Sequence, residues 1–217
     1  MQPKNRMREN RTSGSVRGAL GNQRSYREML IEAIDQMATI KVNKIEAARR
    51  QIDIAVRLLF DNEDPIAIHT LAMAGFRILR DIAEKQNSNI CKFTQSFIKP
   101  GMEGKFWGSL QTFANFLKHA NKDPDDIIDN IQEEVNDSIL LLASLYYQDL
   151  GYQLTPEMLA LSAWYIAIHP GSISDDFSKK FQTQFRALPA ALIDKSRQEQ
   201  VAEGKEALNV ARIFLRR

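Results

Sequence analysis

The spacing of apolar residues constrains this chain more than anything else in it. Ile45, Ala48, Ile52, Ala55, Val56 and Leu59 fall three or four positions apart, which lines one face of an α-helix. Met29, Leu30, Ala33, Ile34 and Met37 repeat that spacing upstream, and Phe106, Trp107, Leu110, Phe113, Ala114 and Leu117 repeat it downstream. The pattern predicts an all-α protein, an antiparallel helical bundle whose helices are joined by short turns. Alternation of the strand kind is confined to a short candidate strand over residues 39–42.

Helix starts are written in the sequence. Ser25 followed by Glu28 has the spacing of a capping box. Asn43 can cap the helix that begins at Lys44, and Asp64-Pro65 opens another, with proline where a missing N–H is harmless. That helix, from Pro65 to about Glu84, is apolar on more than one side and is expected to be the central, most buried one. A short helical piece around Phe93 to Ile98 and the long Phe106–Leu117 helix follow, the latter stopping before Asn121-Lys122-Asp123-Pro124. The next apolar stretch predicts a helix from about Ile127 to Leu150, halted by Gly151. Thr155-Pro156 opens one that ends at His169-Pro170-Gly171, and two weaker helices are expected near 175–186 and 193–215. The expected organisation is a flexible tail over 1–24, a bundle over 25–171, and a C-terminal helical extension over 172–217 packed on the core.

Charge separates the tail from the body. Residues 1–28 hold seven basic side chains against Glu9 and Glu28, a balance of +5 within a chain whose net charge is +2. The tail has no apolar periodicity and is expected to be disordered. It could serve as an arm for nucleic acid or a nucleotide, or simply keep the chain soluble. With 44% hydrophobic residues and no apolar run near the roughly 20 needed to span a bilayer, no membrane segment is expected. The single Cys91 excludes an internal disulfide and suits a reducing, cytoplasmic setting.

The routes to a firm enzymatic assignment are missing. The chain has no phosphate-cradling glycine loop, no Cys/His zinc spacing, no His-Glu-x-x-His and no Gly-x-Ser-x-Gly. No cofactor is expected, and the balance leans away from an enzyme. Three histidines remain. His119 ends Asn115-Phe116-Leu117-Lys118-His119, where Asn115 and His119 share a helical face and Lys118 adds a cation. Such a set could bind phosphate or move a proton; equally, Lys118 and His119 could just favour the negative end of the helix. His69, early in the central helix, could face the same groove or bond a neighbouring helix. His169 reads as a capping residue.

Four strings carry a resemblance: Lys44 to Ile52, Asp64 to Ala72, Asn115 to Pro124, and Trp164 to Ile168. Through them the chain resembles an uncharacterised family of bacterial helical proteins bearing an Asn-Phe-x-Lys-His-Ala-x-x-Asp-Pro motif. The resemblance runs from Lys44 to about Gly171 and brings no activity with it. It implies roles for His69, Asn115, Lys118, His119 and Asp123 beyond packing. More distantly the chain is similar to HEPN-type bundles, many of which cleave RNA or bind nucleotides. Nuclease members pair an arginine with a histidine four to six residues on, and the positions before His119 hold Phe113, Ala114 and Asn115 instead. The expectation is therefore a non-enzymatic binding or regulatory protein with a groove for a phosphate-bearing ligand or nucleic acid at His69, Asn115, Lys118, His119 and Asp123. The alternatives are a HEPN-type, toxin-like ribonuclease using His119, and a structural protein that forms a homodimer.

Overall fold

A computed structural model describes residues 25–35, 39–96, 103–119, 124–129, 132–170 and 192–214. These hold eight α-helices and, among the described residues, no strand. In chain order they are α1 (Tyr26–Asp35), α2 (Lys44–Phe60), α3 (Pro65–Lys85), α4 (Asn89–Ser96), α5 (Glu103–Phe116), α6 (Val135–Asp149), α7 (Pro156–Ile168) and α8 (Arg197–Phe214). Two compact units divide the chain, Met1–Lys41 and Val42–Arg217, so α1 falls in the first and the other seven helices in the second. The tail over 1–24, the helix expected near 175–186, and Asp123 lie outside the described residues. None of the described helices is long and apolar enough to cross a membrane.

In the first unit, the Ser25 amide donates to Glu28 and the Glu28 amide donates back to the Ser25 hydroxyl, at 2.8 and 3.2 Å. This reciprocal cap starts α1. Its side chains Met29, Leu30, Ile31 and Ile34 are all exposed.

In the second unit the caps sit where local chemistry places them. Asn43 accepts from the Glu46 amide, Asp64 from those of Ile66 and Ala67, and Thr155 from that of Met158. After α2 and α3 the chain turns through the left-handed region at Asn62 and Asn87 (φ 56° and 52°), and after α6 at Gly151 (φ 89°). Asparagine and glycine tolerate that conformation best.

α2 and α3 fold back on each other and approach closely at Gly75. A Cβ there would lie 2.8 Å from Ile52 Cγ1 and 3.1 Å from the Ala48 carbonyl oxygen. α3 then runs alongside α6 in the same direction, since His69 meets Asn136 and, two turns on, Phe76 meets Tyr146 edge-on at 5.5 Å. α5 lies against α3 in the opposite direction. Phe113 touches His69 near the start of α3, while Trp107 stacks on Phe76 at 6.0 Å beneath the Arg80 guanidinium.

α7 and α8 close the core. Trp164 is fully buried, packs edge-on against Phe60 at 5.4 Å and donates from its indole nitrogen to the Gln200 carbonyl at 2.5 Å. Gly204 of α8 lies flat on the Phe60 ring, so closely that a Cβ would fall 2.2 Å from it. The segment before α8 is tied in as well: buried Leu192 donates its amide to the Ala167 carbonyl.

Three expectations are corrected here. Residues 39–43 lead into α2 and form no strand. The helix expected from Ile127 begins at Val135, and Ile127 is exposed. α3 is less buried than expected: it buries eight of its 21 residues, whereas α7 buries ten of 13. α7 is enclosed because it touches α2, α6 and α8, while α3 keeps one side open toward the weakly packed α4 and α5.

Candidate functional site

His69 occupies the second turn of α3 and is buried. Its environment fixes its proton. Asn136 donates from Nδ2 to the Pro65 carbonyl at 3.0 Å, which can only accept, so Asn136 Oδ1 faces His69 Nδ1 at 2.8 Å. The imidazole must donate there, which puts the hydrogen on Nδ1 and leaves a lone pair on Nε2. That Nε2 is buried and has no hydrogen-bond partner among the described residues. Phe113 of α5 covers the ring, with centroids 4.2 Å apart and planes tilted by 51°. Burial pushes the imidazole below its ordinary value, the bond to Asn136 works against this, and the positive charge of Lys118 lowers it further. The ring is neutral at neutral pH.

The end of α5 therefore lies within electrostatic reach of the start of α3. The polar residues expected to converge there are arranged differently from one another. Asn115, Lys118 and His119 are exposed. The Asn115 carbonyl accepts from the backbone amides of Lys118 and His119, both at 3.0 Å, which winds up the helix end. Its side-chain oxygen accepts from Gln111 Nε2 at 2.5 Å. It is Phe113, read from the sequence as facing away into the core, that meets His69. Asn115 and His119 are not bonded to it.

Asn136 was not singled out by the sequence. It lies at the start of an apolar run and its partner is 67 residues away, so no local pattern marks it. The same holds for three buried carboxylates. Asp137 takes two bonds from Arg197, at 2.7 and 2.9 Å, and Arg197 also lies over Trp164 at 5.2 Å. Asp53 receives Arg49 at 2.6 Å and the Thr155 hydroxyl at 2.7 Å. Glu157 receives Arg57 at 3.3 Å and Arg212 at 2.7 Å. Burial still pushes Asp53 and Asp137 above the ordinary carboxylate value, with these bonds opposing it. Each carboxylate ties together helices distant in sequence.

A small cleft opens beside Asn136, between the α2–α3 turn, the start of α6 and the start of α8. Asn62, Glu63, Glu133 and Arg197 form its polar wall. His169 ends α7 and packs against Tyr165 at 4.5 Å, in keeping with a capping role. Among the described residues no group of three or more His, Cys, Asp and Glu side chains is placed to hold a metal ion. Compared with known protein families, with curated proteins and with solved structures, the chain matches none.

Proposed function

We propose that the chain is a non-enzymatic binding or regulatory protein, a HEPN-like helical bundle that takes a phosphate-bearing ligand or nucleic acid at the end of α5. One observation carries this reading. Lys118 and His119 are exposed and enter no ion pair with another described residue, whereas the buried carboxylates Asp53, Asp137 and Glu157 are all spent on bonds between side chains of the bundle. With the Asn115 amide on the same side of the helix, the end of α5 offers a cation, an amide and an imidazole, all of them donors suited to phosphate oxygens. The C-terminus of a helix carries partial negative charge, so these side chains alone must hold the anion. The basic residues of the 1–28 segment would add affinity for a polyanion.

Ribonuclease activity through His119 is less well supported. No arginine occurs between Glu103 and His119, and His69, the neighbouring imidazole, is enclosed beneath Phe113. Binding of inorganic pyrophosphate by equilibrium dialysis tests the proposal. Binding is expected for the native chain and its loss in the Lys118→Ala/His119→Ala variant, with unchanged helicity. Cleavage of a labelled RNA oligonucleotide by the native chain but not by that variant would favour the nuclease instead.

A structural role has one observation of its own, the exposed Met29, Leu30, Ile31 and Ile34 on α1. Apolar side chains grouped on one helix favour association with a second copy. Sedimentation velocity over a concentration series separates this reading: deleting residues 1–41 should abolish any dimer.

A further inference from the structure

The His69 imidazole stands between α3, α6 and α5 in a way that makes the contact with α5 conditional. On one side its Nδ1 hydrogen is committed to Asn136, and through it to the Pro65 carbonyl. On the other, Nε2 is buried under a phenyl ring, without a partner among the described residues. A second proton can only go to Nε2, where it would create a buried charge and a donor that no described residue accepts. Burying an unpaired charge is strongly unfavourable, and the group or its cover must move.

The charged groups around this end of α3 do not offset that. Just past the end of α5 stands Lys118, of like sign. On α6, Asp137 is already gripped by Arg197. At the end of α2, Asp61 is paired with Lys205, while Asp64 is used as the α3 cap. Glu63, Glu133 and Glu134 are exposed. α4, the remaining neighbour of α3, contributes exposed Lys92, again of like sign. Phe113 presents a tilted ring whose attraction for a cation is at most a modest return for lost hydration.

Among the described residues, Phe113 rests on His69 at one end of α5 and Trp107 on Phe76 at the other, with Arg80 above it, while Ala114 is buried and Leu110 packs against the core. The geometry points to an acid-sensitive latch: protonation of His69 at Nε2 releases the Phe113–His119 end of α5 from α3, while Trp107 stays anchored. As control of a phosphate-binding end on α5 it rests on the function proposed above; as release of a helix it stands on its own.

The direction follows from linkage. The docked imidazole has a lowered affinity for the proton, so docking is complete above the ordinary histidine value of about 6.5 and is lost as pH falls from there through the lowered docked value. Within that window one proton is taken up, and the docking equilibrium weakens about tenfold per pH unit.

Hydrogen–deuterium exchange from pH 7.5 to pH 4.5, corrected for the intrinsic rate, reads this directly and needs no ligand. Amides of residues 110–119 are expected to lose protection on acidification while those of α7 keep theirs. His69→Asn, which retains a donor for Asn136 but cannot titrate, should abolish the pH dependence. Should that variant fold poorly, Lys118→Met provides the second arm: removing the like charge should raise the docked value toward the ordinary one and so lessen the total loss of protection on acidification. His119→Gln should leave the transition in place. A flat profile in the native chain, a persisting transition in His69→Asn, or an undiminished loss in Lys118→Met would overturn the latch.

Discussion

Arg197 at the start of α8 grips Asp137 at the start of α6 with two guanidinium nitrogens, at 2.7 and 2.9 Å, across 60 residues of sequence. Only 1% of the Asp137 side chain is exposed, against 27% of Arg197. Removing one partner leaves a buried carboxylate alone, which should be far worse than removing both. Arg197→Met is therefore expected to destabilise by roughly 3 kcal/mol, and Arg197→Met with Asp137→Asn by much less. Urea unfolding of the four-member cycle checks this; a double-variant loss equal to the sum of the two single losses would show the pair to be uncoupled.

Gly204 offers a steric test of α8. A methyl group there meets the Phe60 ring at 2.2 Å, and that ring is already fixed against Trp164. Gly204→Ala should lower stability by roughly 1–3 kcal/mol, the usual range for overpacking, although alanine is the better helix former. Phe60→Leu in the same chain should recover part of the loss. A thermal midpoint raised by Gly204→Ala alone would place α8 away from Phe60.

Tyr146 gives a spectroscopic marker of the α4–α6 contact. Burial pushes its phenol up to about 12, while the bond with the Thr94 hydroxyl at 2.9 Å acts the other way. The unfolded chain releases this proton near 10, so its contribution to stability is full below 10 and is lost as pH climbs toward 12. Absorbance near the phenolate band should show late ionisation from Tyr146 and from Tyr147, which burial also raises, and Tyr146→Phe should remove the latest step. Ionisation of all tyrosines near 10 would mean that α4 does not cover Tyr146.

How much of this was legible in the sequence depended on range. Caps at Ser25, Asn43, Asp64 and Thr155 were readable because a cap is made within three residues. Ser196 and Glu199 form another such box, with the Ser196 amide donating to Glu199 at 2.9 Å, and its spacing was there to be read. The start of α6 was misplaced because Ile127 and Ile128 imitate a helical face, yet Ile127 meets no core. His69 was recognisable as unusual, but its partner Asn136 was not, since the pairing exists only once α3 and α6 lie side by side. Phe113 was assigned to the core by its periodicity, and it does turn inward; what it meets there is the imidazole.

The exposed end of α5 should respond to charge and not to core packing. Lys118→Glu is expected to leave the unfolding free energy within about 0.5 kcal/mol of native, as surface changes usually do, while abolishing pyrophosphate binding. Binding that survived the reversal would move the anion site elsewhere on the chain.

Imidazole nitrogen NMR of the three histidines, with and without inorganic pyrophosphate, tests the binding role of α5 most directly. His69 should show the Nδ1–H neutral tautomer at neutral pH and stay unmoved by pyrophosphate, as its Nε2 is sealed under Phe113. The His119 nitrogen resonances should shift on addition of pyrophosphate, because a bound anion would sit against the ring. An unmoved His119 at saturating pyrophosphate would contradict a phosphate site at the end of α5.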